Sequence, residues 1–158
     1  MSIPREPCRI INPGRFAGWQ LAASWTGLDG AIETDTLDET RDKWILESRP
    51  DNKFAIRHEK LNKYIALQNE SDKPSLNNLL YLRDKPLLFT AKQGEGPNRY
   101  RFSVICDEET QDSLYLDEFG AGTPPGIVLG HEHGETVVWE LKFPVKQKYY
   151  PPGAPVVD

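Results

Sequence analysis

Lys43-Trp44-Ile45-Leu46, Leu88-Phe89-Thr90-Ala91 and Val138-Trp139-Glu140-Leu141 are three versions of one short pattern. Each sets an aromatic ring in an apolar, strand-like run, and the rings at 44, 89 and 139 stand 45 and 50 residues apart. A second pattern keeps step with the first. Trp19-Gln20-Leu21-Ala22, Tyr64-Ile65-Ala66-Leu67 and Leu114-Tyr115-Leu116-Asp117 place Leu21, Leu67 and Leu116 in register, 46 and 49 residues apart. A third gives Ile32, Leu80 and Val128, at two intervals of 48. Self-similarity at a nearly fixed period identifies a chain built from repeats, each one a supersecondary unit too small to bury its own apolar face.

Between these anchors, short runs of β-branched, aromatic and Leu residues alternate with clusters of Gly, Pro, Asn and Asp, and helical periodicity is absent. The chain is therefore all-β, with twelve strands in three groups of four. The first group is expected at Cys8–Asn12, Trp19–Ser24, Ala31–Thr36 and Lys43–Ser48. The second is at Phe54–His58, Lys63–Gln68, Leu79–Arg83 and Leu87–Lys92, and the third at Arg99–Cys106, Ser113–Asp117, Gly126–Gly130 and Thr136–Phe143. Three four-stranded units sharing one core make a β-trefoil; a propeller needs about four blades. The trefoil is expected over residues 1–143. In 144–158, Pro151, Pro152 and Pro155 remove ladder donors and predict an extended Pro-rich tail.

The 158 residues suit one domain, and the net charge of −5, with both signs interspersed, excludes the basic footprint that nucleic acid or an anionic membrane requires. Met1–Ile11 has no apolar run behind a basic start, so a cytoplasmic location is expected. Cys8 and Cys106, the only cysteines, read as two reduced thiols.

Catalysis needs a nucleophile or an acid/base set, and the three histidines, His58, His131 and His133, form no such motif. His131 and His133 at i, i+2 could offer two metal ligands, but no third follows nearby, so neither metal nor cofactor is expected. The acidic runs Asp35–Glu39 and Asp107–Glu109 read as solvated connections. No enzyme is expected. A trefoil can also bind glycans, and ricin-type lectins mark their repeats with Gln-x-Trp. Here Asp42, Leu87 and Val137 stand where that Gln would be, so Trp44, Phe89 and Trp139 are expected in the core. Trp25 is the better candidate for an exposed, sugar-stacking ring.

Tyr100-Arg101-Phe102, Asp112-Ser113-Leu114-Tyr115-Leu116-Asp117, Gly122-Thr123-Pro124 and Val137-Val138-Trp139-Glu140-Leu141 resemble the mushroom β-trefoil serine protease inhibitors of the cospin and cnispin type. The resemblance implies a hydrolase inhibitor of fungal defence that presents a preorganised loop to a protease. The reactive-site loop it implies joins the second and third strands and contains Trp25, Thr26, Gly27, Leu28 and Asp29. Leu28 would enter the specificity pocket, which favours a chymotrypsin- or subtilisin-like serine protease over trypsin. Two other loops stay open as alternatives. Arg15 suits a trypsin pocket, and Asn62 resembles the residue that mycocypins offer to asparagine-specific cysteine proteases. A ricin-B-like lectin that binds a glycan is the other reading of the chain.

Overall fold

The computed structural model describes residues 3–13, 20–23, 33–35, 41–119, 126–132 and 137–143. The first repeat holds β1 (Arg9–Ile11), β2 (Gln20–Ala22), β3 (Glu33–Asp35) and β4 (Trp44–Arg49). The second holds β5 (Lys53–His58), β6 (Tyr64–Ala66), β7 (Tyr81–Arg83) and β8 (Phe89–Gln93). The third holds β9 (Arg99–Asp107), β10 (Asp112–Phe119), β11 (Gly126–Gly130) and β12 (Trp139–Lys142). A 3-10 turn, Pro50–Asn52, links the first repeat to the second. Among the described residues no helix is long and apolar enough to cross a membrane.

All pairings are antiparallel, and they run β1–β12–β9–β8–β5–β4 around a barrel. The ring closes between β1 and β4 at one bridge, where Cys8 and Trp44 exchange backbone hydrogen bonds of 2.8 and 2.9 Å. The hairpins β2–β3, β6–β7 and β10–β11 cap one end. They touch one another through Gly126 opposite Glu33 and Leu79 opposite Val128. This is a β-trefoil.

Alternation builds the barrel wall. In β9, Tyr100, Phe102 and Val104 point inward while Arg99, Arg101 and Ser103 are half-exposed, the period-2 pattern of a strand with one face on a core. The three repeated aromatics Trp44, Phe89 and Trp139 are fully buried together with Ile10, Leu21, Leu46, Ile56, Ile65, Phe102 and Leu116. Each such ring contributes roughly 3 kcal/mol by leaving water.

The register between repeats differs from the sequence expectation at two points: Ile127, not Val128, precedes Leu129 by two residues as Leu80 precedes Leu82, and Leu67 is displaced in the second repeat. Leu21 pairs with Thr34 and Leu116 with Leu129, 13 residues further on in both cases, and the residue of the second repeat that occupies this place is Ile65, paired with Leu82. Leu67 lies two residues beyond. A slip of two keeps the same sheet face, so Leu67 is buried as well and its spacing imitates the true match. The consequence is structural. In the second hairpin Leu82 stands 17 positions after Ile65, four more than in its sisters, while the repeated aromatic follows 7 positions later (82 to 89) against 10 (34 to 44 and 129 to 139).

Candidate functional site

The surplus residues of the second hairpin fold into two small turns. In the first, the Asp72 N–H donates to the Asn69 carbonyl at 3.0 Å and the Asn69 N–H donates to Asp72 Oδ2 at 3.1 Å. In the second, the Ser75 N–H and hydroxyl both donate to Asn78 Oδ1, at 2.7 and 3.0 Å. Side-chain acceptors thus satisfy backbone that has no strand partner, the usual work of Asn, Asp and Ser in loops. Asn77, at φ 68, turns the chain so that its N–H reaches the Leu129 carbonyl at 2.8 Å, and the Leu129 N–H donates back to the Asn78 carbonyl at 3.0 Å. The second turn is therefore fixed to β11.

Between this long loop and the shortened 84–88 connection lies a groove. It consists of two adjoining depressions of about 340 and 200 Å³ that share Leu67 and Asp72. Ala66, Leu67, Pro86 and Leu87 form an apolar floor in the larger one, rimmed by Asn69, Glu70, Asp72, Arg83, Asp84 and Lys85. Gln68, Asn77, Asn78, Leu79 and Tyr81 line the smaller. Arg83 lies over the Tyr81 ring at 4.9 Å and donates from Nε to the Gln68 carbonyl at 2.9 Å, so it joins the two parts. The rim charges are largely balanced, Glu70 by Lys85 at 3.1 Å and Asp84 by Lys63. The direct bond from Lys63 also holds the Asp84 carboxyl below its usual pKa.

An apolar floor beneath a rim of amides and carboxylates suits a flat, polyhydroxylated ligand: the floor takes C–H groups, and Asn69 and Asp72 offer donors and acceptors to hydroxyls. The groove has no His, Cys or Ser–base pair among its lining residues, and no group of three potential metal ligands occurs among the described residues. Nothing in the sequence patterns marked Asn69, Asp72, Tyr81 or Arg83. The signal available was the amide- and acid-rich run Gln68-Asn69-Glu70-Ser71-Asp72 in a hairpin longer than its sisters.

The residues expected from the sequence are scattered with respect to this groove. Trp25, Thr26, Gly27, Leu28 and Asp29 lie outside the described residues, as do Arg15, His133 and the tail 144–158. The entry to the 24–30 loop is described, and it is anchored. The Ala23 N–H donates to the Arg41 carbonyl at 3.0 Å, and the Arg41 side chain donates from Nη1 back to the Ala23 carbonyl at 2.8 Å in a buried position. Asn62 sits in the β5–β6 turn at φ 56, where Arg57 Nη1 donates to its Oδ1 at 3.3 Å. His131 is exposed at the end of β11. Cys8 and Cys106 are both free thiols, and burial, aided by Glu6, pushes the Cys8 thiol up to about 12.

No family model and no curated protein matches the chain. Solved structures do. A ricin B-like lectin of Macrolepiota procera in complex with lactose superposes with a TM-score of 0.72 over 91% of this chain and 99% of the lectin, at 16% identity. The Rhizoctonia solani agglutinin gives 0.70 over 90% and 97% of the two chains at 14% identity. ThreeFoil, a designed 3-fold symmetric protein, gives 0.69 over 87% and 98% at 14% identity. At such identities the likeness is one of fold, and along nearly its whole length this chain has the β-trefoil fold of these proteins.

Proposed function

We propose that the chain is a saccharide-binding β-trefoil whose site is the groove of its second repeat. The observation that carries the reading is the local departure from threefold symmetry. A hairpin four residues longer, beside a connection three residues shorter, opens an apolar-floored, amide- and acid-rimmed groove in the second repeat. The solved lectins of the same fold lend it support, and lactose, the ligand of the Macrolepiota procera protein, is a natural first ligand. The test is a glycan array read with the wild-type chain, Asp72→Ala and Tyr81→Ala. A saccharide bound by the wild type and lost in both variants supports the groove; an array with no binder rejects the reading.

A second reading, inhibition of a chymotrypsin- or subtilisin-like serine protease by Trp25–Asp29, is favoured by the anchoring of Ala23 through Arg41. A loop held at its base loses less entropy when it enters an active site. A titration of chymotrypsin and subtilisin with the wild type and with Leu28→Ala tests it, and full protease activity throughout removes it. For Asn62 the geometry works the other way. A left-handed residue whose side chain is bonded to Arg57 does not present the extended backbone that an active-site cleft binds.

A further inference from the structure

The outer face of β5, β6 and β7 carries a row of polar side chains. Arg57 stands opposite Tyr64, and Tyr64 opposite Arg83. Opposed residues of antiparallel neighbours share a face, with strands roughly 4.8 Å apart. All three residues are half-buried.

At one end of the row lies Glu47, its side chain only 6% exposed, and three guanidiniums close on it. Arg5 Nη2 and Arg57 Nε donate to Oε2 at 2.9 and 3.1 Å, and Arg49 Nη2 donates to Oε1 at 3.1 Å. The Tyr64 hydroxyl donates to Oε1 at 3.0 Å, and Arg49 also lies over the Tyr64 ring at 5.9 Å. No second carboxylate among the described residues is within ion-pair distance of these three arginines. Among the described residues, three cations on one anion leave a surplus of two positive charges at this spot, in a chain whose net charge is −5.

Fastening the N-terminal segment to the barrel needs one arginine on Glu47, and Arg5 provides it. Three guanidiniums, each with a planar fork of five donors, exceed what one carboxylate can occupy, and Arg5 is 70% exposed. Such forks match the oxygens of sulfate and carboxylate groups. At the other end of the row Arg83 lines the groove.

We propose that Arg5, Arg49 and Arg57 bind the sulfate or carboxylate substituent of an acidic saccharide whose rings occupy the groove. The part concerning the rings rests on the saccharide reading above; the anion site stands on the Glu47 cluster alone.

The test has two arms, each run with the wild type, Arg5→Gln and Arg49→Gln. Each variant leaves Glu47 two arginines, and a thermal melt verifies that it folds. In the first arm inorganic sulfate is titrated against chloride at constant ionic strength while the arginine Nε–H resonances are followed. In the second, affinities are measured for a sulfated oligosaccharide, its desulfated counterpart and a uronic-acid oligosaccharide. The expected result is a saturable shift of the Arg49 and Arg57 resonances, together with about fivefold tighter binding of the sulfated or uronic form. That preference should vanish in Arg49→Gln and shrink in high salt. Saturable sulfate binding with no oligosaccharide bound upholds the anion site and rejects the groove. Unmoved resonances with equal affinity for sulfated and desulfated forms overturn the inference and leave the groove standing. An acid preference untouched by both variants overturns it too, and no response in either arm rejects both.

Discussion

Trp139 donates its indole N–H to the carbonyl of Leu116, 23 residues earlier, at 2.9 Å in the buried core. Trp44 makes the same bond to Leu21, also 23 residues earlier and also 2.9 Å. The second repeat has Phe89, which has no such donor. There the equivalent carbonyl, that of Ile65, accepts from the backbone N–H of Leu87 at 3.1 Å. The shortened connection thus brings a main-chain donor to the place where the other repeats use an indole.

Trp44→Phe and Trp139→Phe should each destabilise the fold by about 2 kcal/mol, since each leaves a buried carbonyl without its donor and removes ring volume. Phe89→Trp should also destabilise, because its added N–H finds the Ile65 carbonyl already taken and the larger ring must displace neighbours. Urea denaturation of the three variants measures this. A stabilised Phe89→Trp would show that the second repeat has room for an indole, contrary to the bonding around Ile65.

The same residues explain what the sequence could show. Trp44, Phe89 and Trp139 repeat because the three units share one core, and a shared core imposes similar rings at similar depth. Strand positions followed from alternation and turn residues, which are local. Local patterns do not fix the register of Leu67: a two-residue slip preserves the sheet face, so burial at Leu67 and at Ile65 looks alike in a hydropathy pattern. Without that register the four extra residues of the hairpin were invisible, and so was the groove they form. Asn69 and Asp72 have no periodicity because each answers only to the turn it closes.

Stability should fall in acid through Glu47. Burial acts to raise its pKa, but hydrogen bonds from Tyr64, Arg57, Arg49 and Arg5 overcome that and hold it at about 2, below the ordinary 4.5. A carboxyl with a depressed folded pKa binds protons more readily when unfolded. Its contribution, roughly 3 kcal/mol as an upper figure, is therefore complete above pH 4.5 and lost as the pH falls towards 2. Denaturant titrations at pH 7, 4 and 2.5 on wild type and Glu47→Gln check this. The gap between the two proteins should be widest at pH 7 and narrow in acid; a gap independent of pH would refute the assignment.

His58 should act in the same direction at milder pH. The Leu61 N–H donates to its Nδ1 at 3.1 Å, which leaves the ring proton on Nε2 to reach the Arg41 carbonyl at 2.9 Å. Burial lowers its pKa from 6.5, opposed by the Arg41 carbonyl, Glu59 and Asp42 and assisted by Lys60. Because the folded chain resists protonation, stability should be full above pH 6.5 and decline as the pH drops through the lowered folded value. Protonation also puts a hydrogen on Nδ1 where Leu61 donates. Melting temperatures at pH 7.5 and 5.5 should differ more for wild type than for His58→Gln. Equal differences would mean that His58 does not titrate differently on folding.

Fold and site should separate in one deletion. Deleting Glu70–Lys73 removes one self-closed turn and brings the second hairpin to the length of its sisters. The turn from Ser75 to Asn78, which bonds to β11, is untouched. Shortening a surface loop by four residues changes closure entropy by only a few tenths of a kcal/mol, so the variant should fold with nearly wild-type stability. What it loses is one wall of the groove, with Glu70 and Asp72. Saccharide affinity measured by calorimetry should then disappear while the melting temperature stays within a few degrees. If binding persists at wild-type strength, the saccharide is held elsewhere on the trefoil, and the four extra residues serve some purpose other than recognition.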